Sequence, residues 1–297
     1  MAPPFSVNII YNKANTYGLN DDVTVIERYL RKLQDLIGHP IGKAKTVDMR
    51  EPLSHCDINI HLEIPVFSAI PWAHTNIVVV NPEQWVYAYD AYAHAFDALL
   101  FRDNTTFEKF RQDFTEKGIR TDNLYLVPWC ASWQVSDIKT PYGKNGDIGF
   151  ISFVAGSISK YEYLRQVLPY WREEDPALTI YTTREDFAEG LKKANSSANI
   201  TVKCQDLDQE SRYRLMTLYR GHLVCSQGES FGYAAANAEV AGAFTIMNSL
   251  PIFEKMYHSQ PNSIAWLSNN YADSDKVRYS ITSPTSNVRQ EAHQGTK

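Results

Sequence analysis

Apolar and polar positions along the chain switch between two periods. Phe5–Tyr11 (FSVNIIY) is a short apolar run suited to a buried strand. A turn-like stretch with Asn12, Asn15, Gly18 and Asn20 follows. Val23, Ile26, Leu30, Leu33 and Ile37 then recur at alternating steps of three and four, which is one face of an amphipathic helix. Asn20 or Asp21 is placed to cap that helix, and Gly38 follows its end. Strands are predicted over Ala44–Met49, Asp57–Ile64, Asn76–Val80, Ala98–Phe101 and Leu124–Val127, three of them closed by Pro65, Pro82 and Pro128. Helices are predicted over Tyr87–Phe96 and Phe107–Lys117.

The alternation breaks at Ser136–Asp147, which holds Pro141, Gly143 and Gly146 and little apolar content, and reads as a linker. It restarts with a strand at Gly149–Ala155, a helix at Tyr163–Trp171 and strands at Ala177–Thr182 and Thr201–Cys204. Then come a helix at Glu210–Tyr219, a strand at Leu223–Cys225, a helix at Ala234–Val240 and a last clear strand at Ala243–Ile246. Strands alternating with helices predict an α/β protein with parallel sheets covered on both faces. The expected domains are 1–135 and 148–270, followed by a polar tail over 271–297 whose end, near Gln290–Lys297, is expected to be disordered.

Composition narrows the function classes. With 297 residues, two domains are expected, each able to bury a core. The formal charge of −5 shows no basic excess of the kind nucleic-acid binders carry. Cys56, Cys130, Cys204 and Cys225 are scattered without a CxxC pair, so buried or half-buried thiols are expected rather than a disulfide frame or zinc site. The N-terminus lacks a basic segment and a long apolar one, and no apolar run reaches transmembrane length. A cytoplasmic protein with no membrane span is therefore expected, and the sequons at Asn104, Asn195 and Asn199 are expected to carry nothing. There is no GxGxxG after the first strand, no GxxxxGK[ST] and no GxSxG. Asp206-Leu207-Asp208 has the spacing of a DxD metal site but falls in an expected loop before a helix.

Leu223–Met247 (LVCSQGESFGYAAANAEVAGAFTIM) carries the chemistry. It reads strand, glycine turn, helix, glycine turn, strand. Gly228 and Gly232 let the backbone turn tightly and approach a ligand. The free N–H groups that open the next helix suit a diphosphate. Glu229 falls at the carboxyl end of the strand, where ligands bind in open α/β sheets, and a carboxylate there accepts hydrogen bonds from sugar hydroxyls. This segment resembles the donor-site signature of retaining GT-B glycosyltransferases, especially the large group called family 4. That signature runs E-G-F-G-…-E-A-M-A-x-G-x-P-V-I. Glu229, Phe231, Gly232, Ala238, Ala241 and Gly242 match it, and Asn237 stands where the family has its second, ribose-binding glutamate. Glu239 lies two residues further on, on another side of the helix.

A second resemblance lies at Phe150–Lys160 (FISFVAGSISK): Gly156 matches the family's glycine, Ser157 stands where an arginine is usual, and Lys160 is the nearby cation. The resemblance implies two Rossmann-like domains facing a cleft, 1–135 on the acceptor side and 148–270 on the nucleotide-sugar side. It implies sugar transfer with retention, no bound metal, no cofactor and a nucleotide-sugar as co-substrate. Glu229 would hold the donor sugar and Lys160 the leaving diphosphate, with Gly156, Ser157, Ser230, Phe231, Gly232, Tyr233 and Asn237 around the donor. Gly18, His61, Glu63 and Glu83 are the acceptor-side candidates. Each residue also has a plainer reading: Lys160 as a solvated lysine at a helix start, Asn237 as a helix-surface amide, His61 as a core histidine, Glu63 and Glu83 as structural carboxylates. The Trp72 and Trp85 segments, with His74, are open to stacking on a sugar or a base, or to core packing. The acceptor stays open among a glycan, a protein, a small molecule and a modified DNA base, the last disfavoured by the acidic composition. An epimerase acting on a nucleotide-sugar, or a catalytically weak nucleotide-sugar-binding protein, are the alternatives.

Overall fold

The computed structural model describes residues 3–15, 18–82, 84–130, 149–226, 229, 231–257, 264–267, 269–272 and 278–281. The chain divides into two compact units after Cys130. The linker expected over Ser136–Asp147 lies outside the described residues.

Unit 1 runs β1 (Val7–Tyr11), α1 (Gly18–Ile37), β2 (Lys45–Asp48), β3 (Cys56–Glu63), β4 (Ala73–Val80), β5 (Ala98–Phe101), α2 (Asn104–Glu116) and β6 (Leu124–Leu126). The sheet has the order β2-β1-β3-β4-β5-β6, and every pairing in it is parallel. The apolar run of β1 is buried throughout, as a central parallel strand requires. Val7, Ile9, Tyr11, Ile60, Leu62 and Val79 pack with Leu19 and Ile26 of α1. α1 starts earlier than its apolar spacing predicts, so Asn20 and Asp21 lie inside its first turn rather than capping it. The crossovers from β3 to β4 and from β4 to β5 are 3₁₀ segments, Phe67–Trp72 and Tyr87–Ala95, where a helix was expected only for the second. Aromatic packing explains the tight winding: Phe67 meets Tyr89, Tyr92 and Phe96 at ring separations of 5.7, 4.9 and 6.2 Å. Buried Asp90 accepts hydrogen bonds from Trp85 Nε1 (2.8 Å) and Lys117 Nζ (2.6 Å).

Unit 2 runs β7 (Phe150–Ala155), α3 (Ile158–Val167), β8 (Leu178–Thr182), α4 (Glu185–Ala194), β9 (Ile200–Cys204), α5 (Gln209–Leu218), β10 (Gly221–Val224), α6 (Tyr233–Val240), β11 (Phe244–Asn248), α7 (Pro251–Tyr257) and β12 (Ile264–Leu267). A 3₁₀ turn, Leu168–Tyr170, ends α3, so the helix expected to reach Trp171 stops at Val167. The sheet order is β12-β11-β10-β7-β8-β9, again parallel throughout. Phe150, Val154, Leu178, Ile180, Leu223 and Ile246 pack against Tyr163, Leu164 and Val167 of α3 and Phe187 and Leu191 of α4. Each such fully buried side chain stabilises the fold by about 1.5–3 kcal/mol. Asn195 and Asn199 do structural work here: the Asn195 amide donates to the carbonyls of Leu168 and Trp171, and that of Asn199 to those of Arg172 and Asp175. A two-stranded antiparallel hairpin, β13 (Asn269–Ala272) and β14 (Arg278–Ile281), lies at the start of the expected tail. Of the cysteines, Cys225 is buried, Cys56 and Cys204 are half-buried, and Cys130 is exposed, contrary to expectation.

Candidate active site

In unit 2 the chain leaves β7 toward β8 and β9, and leaves β10 toward β11 and β12. Since β7 and β10 are neighbours, the loops at their carboxyl ends diverge and open a crevice, the usual ligand position in an open parallel sheet. The sequence candidates of this unit lie on these two loops and the helices they start.

At the end of β7 the pairing with β8 shifts register between Phe153 and Ala155. Ala155 adopts φ +50°, a left-handed conformation that costs a non-glycine residue about 1–2 kcal/mol. Its carbonyl is held by the Thr182 hydroxyl (2.7 Å) and the Thr183 N–H (3.1 Å). The chain then turns through Gly156 into Ser157, whose hydroxyl accepts the Lys160 N–H (3.3 Å) and caps α3. Ser157, where the family resemblance expects an arginine, is thus a helix cap, and Lys160 sits in the first turn.

The loop after β10 is anchored by Ser226, which is buried. Its N–H donates to Asn248 Oδ1 (3.0 Å) and its carbonyl accepts from Asn248 Nδ2 (2.8 Å), tying the loop to the end of β11. Its hydroxyl lies 2.9 Å from that of Ser159 on α3. Beyond it comes Glu229, and Lys160 Nζ stands 3.2 Å from Glu229 Oε1. The side chains are 26% and 14% exposed, so this ion pair is largely withdrawn from water. The contact is close in distance but not aligned as a hydrogen bond, and Oε1, shielded from solvent, has no hydrogen-bond partner among the described residues.

Gly232 follows with φ +79° and opens α6. A Cβ there would come within 2.4 Å of the Phe253 ring, so glycine is required by both conformation and space. Phe231 is buried and meets Tyr233 edge-on at 5.1 Å, so it anchors the turn from within. Asn237 is buried too, at 2% exposure, and is not the helix-surface amide of the plainer reading. Ser230 and Gly228 lie outside the described residues.

Unit 1 has the same kind of crevice where β1 and β3 diverge. Gly18 opens α1 beside it in the chain. Glu63 ends β3 at φ +70°, again a non-glycine residue in the left-handed region. Its Oε1 accepts a hydrogen bond from Asn81 Nδ2 (3.0 Å), and its pKa is raised, chiefly by burial. Arg102 binds both oxygens of buried Asp22 at 3.0 Å, and these charges act on Glu63 in opposite directions. His61 is fully buried. Its Nδ1 accepts the Val66 N–H (3.1 Å), Nε2 lies 3.4 Å from Asn76 Oδ1, and burial lowers its pKa to about 4. It is a core histidine that holds the loop after β3, not a group facing an acceptor. Trp72 meets His55 at a tilt with ring centroids 4.8 Å apart, and Trp85 packs on Tyr89 and Phe110. Glu83 lies outside the described residues.

Among the described residues no group of three His, Cys, Asp or Glu side chains is arranged to hold a metal ion. Asp208, of the DxD-like triplet, caps α5 by accepting the Ser211 N–H (2.7 Å). Among the described residues no helix is long and apolar enough to cross a membrane. Ser159, Ser226 and Asn248 escaped the sequence reading; the only signal for them was their position just past a strand or at a helix start.

Two parallel-sheet α/β units with these strand orders give the chain a fold of the glycosyltransferase GT-B type. Among solved structures it is similar to WaaG, a glycosyltransferase involved in lipopolysaccharide biosynthesis, with a TM-score of 0.65 and 10% identity over 98% of this chain and 90% of that one. It is also similar to a trehalose-6-phosphate protein from E. coli bound with UDP-2-fluoro glucose, with a TM-score of 0.53 and 13% identity over 82% and 69% of the two chains. The pneumococcal O-GlcNAc transferase GtfA, in complex with UDP and GlcNAc, aligns with a TM-score of 0.50 and 13% identity over 91% of this chain. This chain spans about half the length of that GtfA chain, 52%, and of a chain from the GtfA/B complex that it also matches, 50%. At these identities the likeness is one of fold. No protein-family model matches the sequence, and no curated protein sequence matches it.

Proposed function

We propose that the protein is a glycosyltransferase that moves a hexose from a nucleotide-sugar to an acceptor hydroxyl, with retention and without a metal. The observation that carries this reading is the meeting of Lys160 and Glu229, 3.2 Å apart, on the two loops that flank the crevice of unit 2. In this reading Lys160 and the N–H groups opening α3 and α6 stabilise the leaving diphosphate. The Glu229 carboxylate, whose side chain is 14% exposed, accepts hydrogen bonds from the sugar hydroxyls. Tyr233 and Asn237 lie on α6 beside the donor, and Gly156 lets the chain pass close to it. In unit 1, Glu63 is the carboxylate that accepts the hydroxyl proton of the acceptor or orients that hydroxyl.

A panel of UDP-, GDP- and ADP-sugars tests the proposal by thermal shift and by release of nucleoside diphosphate in the presence of candidate acceptors. A ligand at 100 times its dissociation constant adds about 2.7 kcal/mol of stability. The reading expects one donor class to stabilise the protein, transfer to survive EDTA, and the product to keep the anomeric configuration of the donor. Loss of activity in EDTA contradicts the metal-free part. Conversion of the donor to its epimer with no acceptor present replaces transferase with epimerase.

A further inference from the structure

The Lys160–Glu229 pair has a consequence for which ligand the site keeps. With no ligand, the Lys160 ammonium is already neutralised by a carboxylate that is itself mostly withdrawn from water. A bare nucleoside diphosphate placed on Lys160 brings a second anion to the same ammonium. The Glu229 carboxylate then loses its share of that cation and gains no donor in return, because a nucleoside diphosphate presents no sugar hydroxyls at this point. Stranding a poorly solvated carboxylate next to a diphosphate is unfavourable on both counts, repulsion and desolvation. An intact nucleotide-sugar differs in one respect: its hydroxyls donate to the carboxylate as the diphosphate takes the lysine. The Glu229 side chain keeps 14% of its surface exposed, and its carboxylate is the acceptor for such a hydroxyl.

We propose that Glu229, through its ion pair with Lys160, is a specificity-determining residue that makes the site favour intact nucleotide-sugar over free nucleoside diphosphate, so that the leaving product is expelled. This rests on the donor-site reading above and extends it from where the donor lies to which ligand the empty site prefers.

The test is calorimetric titration of the full chain with UDP and with UDP-glucose, and with the GDP and ADP pairs if the uridine compounds do not bind. Wild-type protein is expected to bind the nucleotide-sugar more tightly than its nucleoside diphosphate. Glu229→Gln frees Lys160 while keeping the shape of the side chain, so diphosphate affinity is expected to rise by about three- to tenfold, from within the range of an exposed ion pair to above it. The same change removes charge-assisted bonds to the sugar, so nucleotide-sugar affinity is expected to fall and the preference to reverse. In a Lys160→Met background, Glu229→Gln is expected to give no gain for the diphosphate, because there is no ammonium to release. That dependence separates ion-pair exchange from a general repacking of the loop. Unchanged or weakened diphosphate binding in Glu229→Gln overturns the inference and leaves the donor site standing. A wild-type protein that binds the diphosphate more tightly than the nucleotide-sugar overturns it too, with no variant needed. Absence of binding by every pair overturns the donor-site reading as well.

Discussion

At the scale of single residues, a few titratable side chains are held in unusual surroundings at the strand ends. Glu63 combines a left-handed backbone with burial that pushes its carboxyl above the usual glutamate range. A raised carboxyl pKa means that the folded state holds its proton more firmly than the unfolded chain. The stability this gives is fully present below the unfolded pKa and is lost as pH rises through the folded one. At pH 7, ionised Glu63 therefore costs stability, and Glu63→Gln, which still accepts from Asn81, is expected to raise the melting temperature by about 2–4 °C per kcal/mol relieved. The gain should shrink to nothing in melts at pH 4 and below. If Glu63 serves the acceptor, the same substitution should cut transfer by about a hundredfold or more while donor affinity stays unchanged. A stabilised variant with full activity would make Glu63 purely structural. Lys160 and Glu229 were legible in the sequence because glycines and a strand end marked their loops. Ser159, Ser226 and Asn248 were not, because serine and asparagine recur throughout the chain and only the β7–β10 adjacency and the β10–β11 pairing bring these three together.

At the scale of elements, strands were easier to read than helices. Central strands such as β1, β4 and β7 are largely apolar and closed by glycine, proline or asparagine, as strands buried in a parallel sheet are. α4 was missed because only Phe187, Ala188 and Leu191 face inward and Gly190 interrupts its pattern, although tertiary packing holds it: the Phe187 ring stacks on Tyr161 at 4.1 Å. β12 was missed because no strong alternation marks Ile264–Leu267; its place follows from pairing with β11. The turn into α6 is the element on which the proposed donor site depends. A methyl group at Gly232 would strain φ +79° and strike Phe253, so Gly232→Ala should destabilise unit 2 by about 1–3 kcal/mol. Because the turn carries Glu229's neighbours, donor-induced thermal stabilisation should vanish with it. Wild-type melting and donor binding in Gly232→Ala would show that the turn is not built as described.

At the scale of the whole molecule, each unit encloses one histidine that must stay neutral. Burial lowers the pKa of His61 in unit 1 and of His222 in unit 2 to about 4 each, and His222 Nε2 lies 2.9 Å from the Met216 carbonyl. A depressed histidine pKa means that the unfolded chain takes up the proton first, near pH 6.5. Stability is then present above that pH and is lost as pH falls toward about 4, by up to about 1.4 kcal/mol per pH unit for each histidine. Urea unfolding between pH 7 and 5 should show both units weakening together. His61→Gln should flatten the curve for unit 1 and His222→Gln that for unit 2. Flat wild-type curves would contradict the burial of these rings. The fold and the Lys160–Glu229 pair bear on the proposed reaction class, sugar transfer. The most direct test of that class is kcat/KM for transfer by Glu229→Ala, measured with the donor found in the nucleotide-sugar panel. Losing a charge-assisted bond to the sugar, worth about 1.5–3 kcal/mol, predicts a fall of about tenfold to a hundredfold or more, in a protein that melts like wild type. Full transferase activity in that variant would contradict the account.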